Sequence, residues 1–245
     1  MFIHYIWYQG WDYCKFTKRI QDNAATWKEA NLEIKKWDQH SIETLIKTSY
    51  PTYIKWFVSL QTTIAKCDVA RAFILHAEGG IYADCDFDPN AKGIKLFLQK
   101  ALELNKVVFP GQRPYGLNNY LIASPANSLF WFDEYIPAVQ AAFKTPRLLD
   151  LIIGVRNHTW PVVSTTGPVL LSRITKHSLT SMTTTEHPDT WGRHGAFGSD
   201  DKNSSWYVNS TSIKQQYIVD TILFFAGIGL FSFFYLFYKY MCFTE

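Results

Sequence analysis

GGIYADCDF, running from Gly79 to Phe87, sets two aspartates one residue apart behind a glycine pair and a short apolar run. Ile81, Tyr82 and Ala83 have the composition of a buried strand end. Side chains alternate along an extended segment, so Asp84 and Asp86 are expected to project to the same side. Two carboxylates aimed at one point form a hard oxygen site. Such a site suits Mg²⁺ or Mn²⁺, which keep water and phosphate oxygens in their shell, and not zinc, which calls for His and Cys. The competing reading is a solvated turn, because aspartate is also a common turn former.

Upstream, Ser59 to Ala77 (SLQTTIAKCDVARAFILHA) carries apolar residues at helical spacing and is followed by Gly79-Gly80. The spacing predicts a helix that stops at a left-handed glycine cap. On that helix Asp68 and Arg71 lie one turn apart and share a face. An acid and a guanidinium so placed can be aimed together at one polar ligand. The plainer alternative is an exposed ion pair, worth about 0–1 kcal/mol.

FIHYIW, VVFP and LIAS are short strand-like runs separated by helical stretches, the alternation of an α/β sheet. Ligands in such sheets collect outside the carboxyl ends of the strands, where Asp84 and Asp86 fall. Of the 245 residues, 47% are hydrophobic and 17% aromatic, and the formal charge is +3, with no Lys/Arg block that would point to nucleic acid. Cys14, Cys67, Cys85 and Cys242 are far apart and lack metal spacing, so no disulfide framework is expected. Thr221 to Tyr238 (TILFFAGIGLFSFFYLFY) contains no charge and is flanked by Tyr217 and Tyr240. With Ile218 and Val219 before it and Met241 to Phe243 after, it is long enough to cross a hydrocarbon core of about 30 Å. Met1 to His4 has neither a basic n-region nor a long apolar run, so no signal peptide is expected, and the chain reads as C-terminally anchored. Lys214 and Lys239 flank the span evenly and set no orientation. Asn157-His158-Thr159, Asn203-Ser204-Ser205 and Asn209-Ser210-Thr211 are glycosylation triplets.

The segment DVARAFILHAEGGIYADCDFDP resembles the sugar-binding region of Asp-x-Asp glycosyltransferases, glycosyltransferase family thirty-two. IHYIWYQG, Trp37-Asp38, Tyr50-Pro51, NYLIAS, TTGP and Asn203-Ser204-Ser205-Trp206 follow in the order of that family, covering roughly the first 210 residues. The resemblance implies a GT-A fold, a Rossmann-like α/β domain over residues 1–215, followed by one transmembrane helix over 216–243. It implies that Asp84 and Asp86 hold Mn²⁺ or Mg²⁺, with His194 as a further ligand or phosphate contact. Asp68 and Arg71 would hydrogen-bond the transferred sugar, and Trp7 would stack on the nucleobase. Tyr82, Asn119, Ser205 and Trp206 would complete the donor site, with Asn118 the alternative to Asn119. Cys85, where leucine or valine is more usual, and His76 and Glu78, where tyrosines are commoner, depart from the family pattern without touching a ligand role.

The activity this implies is metal-dependent, retaining transfer of a hexose, mannose favoured, from GDP-mannose or a UDP-hexose. Retention is expected through front-face substitution, because no carboxylate is an evident nucleophile. The acceptor would be a lipid or glycan at a Golgi or ER-type membrane, such as an inositolphosphoceramide, with a membrane-protein partner subunit also expected. The alternatives are a glucosyl- or galactosyltransferase acting on a protein or glycan, and a non-catalytic membrane adaptor. A metal-dependent phosphoesterase would call for a second cluster of His and Asp, which the chain lacks.

Overall fold

The structure, a computed structural model, describes residues 1–112, 116–148, 150, 160–183 and 198–200. Nearly all of these lie in one compact unit made of Met1–Arg147 and Pro161–Asn203. Its centre is a six-stranded mixed sheet. The strands are β1 (Phe2–Ile6), β2 (Glu33–Trp37), β3 (Gly80–Ala83), β5 (Val107–Phe109), β8 (Leu121–Ser124) and β9 (Ser181–Thr183), in the spatial order β2-β1-β3-β8-β5-β9. β1 runs parallel to both β2 and β3, with Ile3 opposite Ile34 on one side and Ile81 on the other. β8 enters antiparallel between β3 and β5, and β9 pairs parallel with β5. Two short antiparallel pairs complete the strands: β4 (Phe87–Pro89) with β10 (Gly198–Asp200), and β6 (Gly111–Gln112) with β7 (Gly116–Leu117).

The period of two along each strand divides the core into two layers. Ile3, Tyr5, Ile81, Ala83, Val108, Leu121 and Ala123 bury on one face, under α1 (Thr17–Asp22), α2 (Ala24–Glu29) and α6 (Ala91–Leu104). Ile6, Tyr82, Val107, Phe109 and Ile122 bury on the other. There they meet α3 (Gln39–Ser49), α4 (Ile54–Ser59), α5 (Thr63–Glu78), the π-helical turn Phe130–Tyr135 with α7 (Ile136–Lys144), and α9 (Pro168–Thr175), which α8 (Trp160–Thr165) precedes. Helices on both faces of a largely parallel sheet make this a mixed α/β domain, as the alternation of runs predicts.

Three local expectations need correction. The predicted helix from Ser59 begins at Thr63, because Ser59 closes α4 and the Thr62 hydroxyl caps α5 by accepting from the Ala65 N–H at 3.1 Å. Gly79 does end α5, but at φ 63°, ψ −161°, which is not the left-handed helical cap. That conformation is open essentially only to glycine. A Cβ on Gly79 would sit 2.6 Å from the Ala126 nitrogen, and one on Gly80 2.4 Å from the Phe2 carbonyl, so the pair is demanded by close backbone approach. Finally, β3 stops at Ala83 and Asp84–Phe87 forms a turn, the Phe87 N–H reaching the Asp84 carbonyl at 3.1 Å, instead of one extended run through both aspartates. Cys85 and Phe87 still bury in the same layer as Ile81 and Ala83, which leaves Asp84 and Asp86 off that layer.

Among the described residues no helix is long and apolar enough to cross a membrane. The apolar stretch Thr221 to Tyr238, the three glycosylation triplets, His194, Ser205 and Trp206 all lie outside the described residues.

Candidate active site

α5 is buried along most of its length because it lies between the sheet and α3, α4 and the π-helical turn. Asp68 and Arg71 sit on that buried stretch, 5% and 8% exposed. The exposed ion-pair alternative is thereby excluded. Two buried charges need partners, since desolvation costs several kcal/mol per ion unless geometry and hydrogen bonds compensate.

The compensation is extensive. Arg71 Nη1 lies 3.2 Å from Asp68 Oδ1 and donates at 2.8 Å to the Asn119 carbonyl. Arg71 Nη2 donates to Asp84 Oδ1 at 3.2 Å, and the guanidinium carbon stands 4.3 Å from the centre of the Tyr82 ring. The Tyr82 hydroxyl donates to the same Asp84 oxygen at 2.5 Å. Asp68 in turn accepts from Asn119 Nδ2 at 3.2 Å and from the Thr166 hydroxyl at 2.8 Å. Among the described residues, the buried Arg71 Nε has no hydrogen-bond partner. Burial pushes the Asp68 carboxyl above the ordinary carboxylate range, against the lowering pull of Arg71, Thr166 and Asn119. Burial alone would lower the Arg71 guanidinium, but Tyr82, Asp84 and Asp68 outweigh it and hold it above its usual value. Burial likewise raises the Tyr82 phenol well above its ordinary value, so it stays a neutral donor.

Asp84 is the outward member of the group. It follows the carboxyl end of β3, its backbone N–H donates to the Tyr120 carbonyl at 2.8 Å, and its side chain is 34% exposed. Asp86 is buried within the turn. Trp7 follows the carboxyl end of the neighbouring parallel strand β1, its backbone N–H on the Trp37 carbonyl at 2.9 Å. Its ring meets Phe16 edge-on at 6.0 Å, and its buried indole N–H has no acceptor among the described residues. β1 is flanked by β2 on one side and β3 on the other, so chain order reverses across it. Ligands of open α/β sheets collect at such a switch point.

The turn carrying the aspartates is fastened from behind. Cys85 Sγ donates to the Ile6 carbonyl at 3.5 Å. Arg19 grips Asp88 with two hydrogen bonds, at 2.7 and 2.5 Å, and Asn23 Nδ2 adds a third at 2.8 Å. Cys14, Cys67 and Cys85 are free thiols. The structure therefore gathers Asp68, Arg71, Tyr82, Asp84 and Asn119 into one hydrogen-bonded network. It places Asp86 two residues along from Asp84, and Trp7 on the adjacent strand. Asn118, the alternative, uses its backbone N–H on the Pro110 carbonyl.

Thr166, which the sequence offers only as part of the Thr-Gly-Pro loop and with no role of its own, belongs to the network, and so does Tyr135, which the sequence does not single out. Thr166 is fully buried, and its carbonyl accepts from the Tyr135 hydroxyl at 2.7 Å. The Thr-Gly-Pro order was the one available signal, and Gly-Pro is also a generic turn. Among the described residues no three His, Cys, Asp or Glu side chains cluster as a metal centre.

Residues 8–101 match the family described as "Glycosyltransferase sugar-binding region containing DXD motif". The chain is 24% identical over 231 residues to a mannosyl phosphorylinositol ceramide synthase of Saccharomyces cerevisiae, which covers 84% of this chain and 54% of that protein. It is 39% identical over 54 residues to inositol phosphoceramide mannosyltransferase 3 of Schizosaccharomyces pombe, 22% of this chain and 15% of that one. The chain thus spans about half the length of the relative it matches over most of its own. Among solved structures it is similar to PaToxG glycosyltransferase, at a TM-score of 0.48 and 14% identity, over 72% of this chain and 69% of the other. The Asp84-Cys85-Asp86 turn, with Asp68 and Arg71 ahead of it, falls inside the matched segment, so the part of the chain that is similar to glycosyltransferase sugar-binding regions is the part that carries the buried network.

Proposed function

We propose that this chain is a metal-dependent hexosyltransferase of GT-A type, with its catalytic domain over residues 1–215. The observation that carries the reading is the buried network in which Arg71 joins Asp68 to Asp84 at the carboxyl end of β3, inside the sugar-binding region. A fold gains little from burying Asp68 and Arg71 there, since buried ion pairs are often replaceable by apolar residues without loss of stability. Perturbed ionisable groups held at a strand end are what a polar-ligand site requires.

The donor set fits a divalent cation. Asp84 and Asp86 offer two hard carboxylates on one turn, and Mg²⁺ or Mn²⁺ take one or two protein carboxylates and complete their shell with water and phosphate oxygens. When bound, such an ion neutralises the diphosphate and its developing charge as a Lewis acid. His194 is retained as a further ligand. Arg71 directs a fixed, planar charge at the reacting sugar or its phosphate, and its Nε–H is left for an acceptor. Asp68 accepts from sugar hydroxyls. Trp7 presents its ring to the nucleobase, with Tyr82, Asn119, Ser205 and Trp206 lining the donor site. Neither carboxylate of the network is an evident nucleophile, Asp68 being held by Arg71, Asn119 and Thr166 and Asp84 by Arg71 and Tyr82, which supports front-face, retaining substitution with the leaving phosphate taking the acceptor proton.

Mannose, with GDP-mannose as its donor, is the favoured sugar and an inositolphosphoceramide-type lipid the favoured acceptor, because two relatives are named as a mannosyl phosphorylinositol ceramide synthase and an inositol phosphoceramide mannosyltransferase. A UDP-hexose donor with a glycan or protein acceptor is the second reading. The apolar stretch Thr221 to Tyr238 supports attachment to a Golgi or ER-type membrane, and a membrane-protein partner subunit is consistent with it.

The test is nucleotide release by the purified full chain with Mn²⁺ and, in turn, GDP-mannose, UDP-glucose and UDP-galactose. One donor is expected to turn over, to stop on chelation and to resume when Mn²⁺ is restored. Asp84→Ala and Asp86→Ala are each expected to abolish release while the melting curve stays cooperative. Release from no donor, or release that ignores chelation, sinks the reading.

A further inference from the structure

Thr166 lies 98 residues beyond Asp68, yet its hydroxyl meets Asp68 Oδ2 at 2.8 Å in a fully buried position. A hydroxyl has one proton. The Val162 carbonyl stands at 3.2 Å, and the carboxylate, closer and charged, is the stronger claimant. The hydroxyl is itself held. The Thr166 N–H reaches the Val162 carbonyl at 3.0 Å, and the Tyr135 hydroxyl donates to the Thr166 carbonyl at 2.7 Å. Gly167 packs so tightly that a Cβ there would come within 2.9 Å of Val163 Cα.

A carboxylate offers about four lone-pair positions. Asp68 Oδ1 faces two donors, Asn119 Nδ2 and Arg71 Nη1, each at 3.2 Å, while Oδ2 faces Thr166. Among the described residues the position left for a ligand therefore belongs to Oδ2, the oxygen whose direction Thr166 sets.

We propose that Thr166 is a positioning residue for the transferred sugar: its hydroxyl, braced by Tyr135, orients Asp68 so that the remaining acceptor site of Oδ2 meets a sugar hydroxyl. The inference rests on the glycosyltransferase reading above. It also explains why a loop before α9 is tied to a residue of α5 across the domain. Misdirecting Oδ2 forfeits one charge-assisted hydrogen bond to the sugar and none to the nucleotide, a loss of about tenfold or more in affinity for the sugar nucleotide alone.

The experiment compares wild-type full chain with Thr166→Val, Thr166→Ala and Thr166→Ser by calorimetry in the presence of Mn²⁺. The probes are GDP-mannose, UDP-glucose and UDP-galactose, with GDP and UDP as sugar-free controls. For the sugar nucleotide that wild type binds, Val and Ala are expected to bind about tenfold more weakly, and Ser within about twofold of wild type. Affinity for the matching nucleoside diphosphate should not move. Equal losses for sugar nucleotide and nucleoside diphosphate, or no loss at all, overturn the proposal. So does loss of the cooperative melt in both Val and Ala, which would assign Thr166 to maintaining the fold. A wild-type protein that binds none of the three sugar nucleotides overturns the glycosyltransferase reading itself, and the role of Thr166 with it.

Discussion

Replacing Arg71 with methionine keeps the length and much of the volume of the side chain but removes the charge that four neighbours depend on. Asp68 loses the ion pair at 3.2 Å, Asp84 a donor at 3.2 Å, the Asn119 carbonyl a donor at 2.8 Å, and Tyr82 the guanidinium over its ring. The greatest effect falls on Asp68, which at 5% exposure cannot turn to water for relief. Removing one partner of a buried pair leaves an uncompensated charge and costs about 3–5 kcal/mol. For a domain of this size that corresponds to a fall in Tm of about 6–20 °C. The loss should also depend on pH. Burial already holds the Asp68 carboxyl above its unfolded value, and without Arg71 it rises further. A carboxyl raised in the folded state contributes stability fully below its unfolded pKa, about 3.9, and loses it as pH climbs through the folded value. The deficit of Arg71→Met against wild type should therefore widen from pH 4 to pH 7. Thermal melts of the full chain across that range measure it. Adding Asp68→Asn to Arg71→Met removes the stranded charge and should restore about 2 kcal/mol of the loss, a coupling within the range expected of contacting residues. A fall of less than about 2 °C for the single variant, or strict additivity in the double, would refute the claim that these charges compensate each other.

His4 is fully buried, donating from Nε2 to the Gly79 carbonyl at 2.8 Å and accepting from the Trp37 indole at Nδ1, and burial lowers its pKa to about 4. Its contribution is present above the unfolded pKa of about 6.5 and lost as pH falls toward 4, up to about 3 kcal/mol, so Tm should drop less steeply on acidification in His4→Gln than in wild type. Parallel curves for the two proteins would contradict this. Gly79→Ala should destabilise by about 2 kcal/mol or more, because φ 63°, ψ −161° and the approach to the Ala126 nitrogen both exclude a Cβ. A denaturant midpoint that does not move would count against that close approach. For Asp84→Asn, which keeps shape and loses charge, nucleotide release should fall about 100-fold or more while the melt stays cooperative, and activity within tenfold of wild type would remove Asp84 from the chemistry.

Local sequence determined whatever depends on short-range periodicity and sterics. The α/β alternation, the helix ahead of Gly79-Gly80, the buried strand Ile81–Ala83 and the one-turn spacing of Asp68 and Arg71 are all within reach of neighbouring residues, and the structure carries them. Only the tertiary structure decided what depends on contacts across the chain. It inserted β8 antiparallel between β3 and β5, and so brought Asn119, at the entrance to β8, against Asp68 and Arg71. It buried that pair where a helix-surface ion pair was the simpler expectation, because α3, α4 and the π-helical turn close over α5. It broke the strand between the two aspartates with a turn that Cys85 and Phe87 anchor in the opposite core layer. It also sent the Thr166 hydroxyl to Asp68, since a buried carboxylate takes donors wherever packing delivers them, and no spacing along the chain announces which residue will arrive.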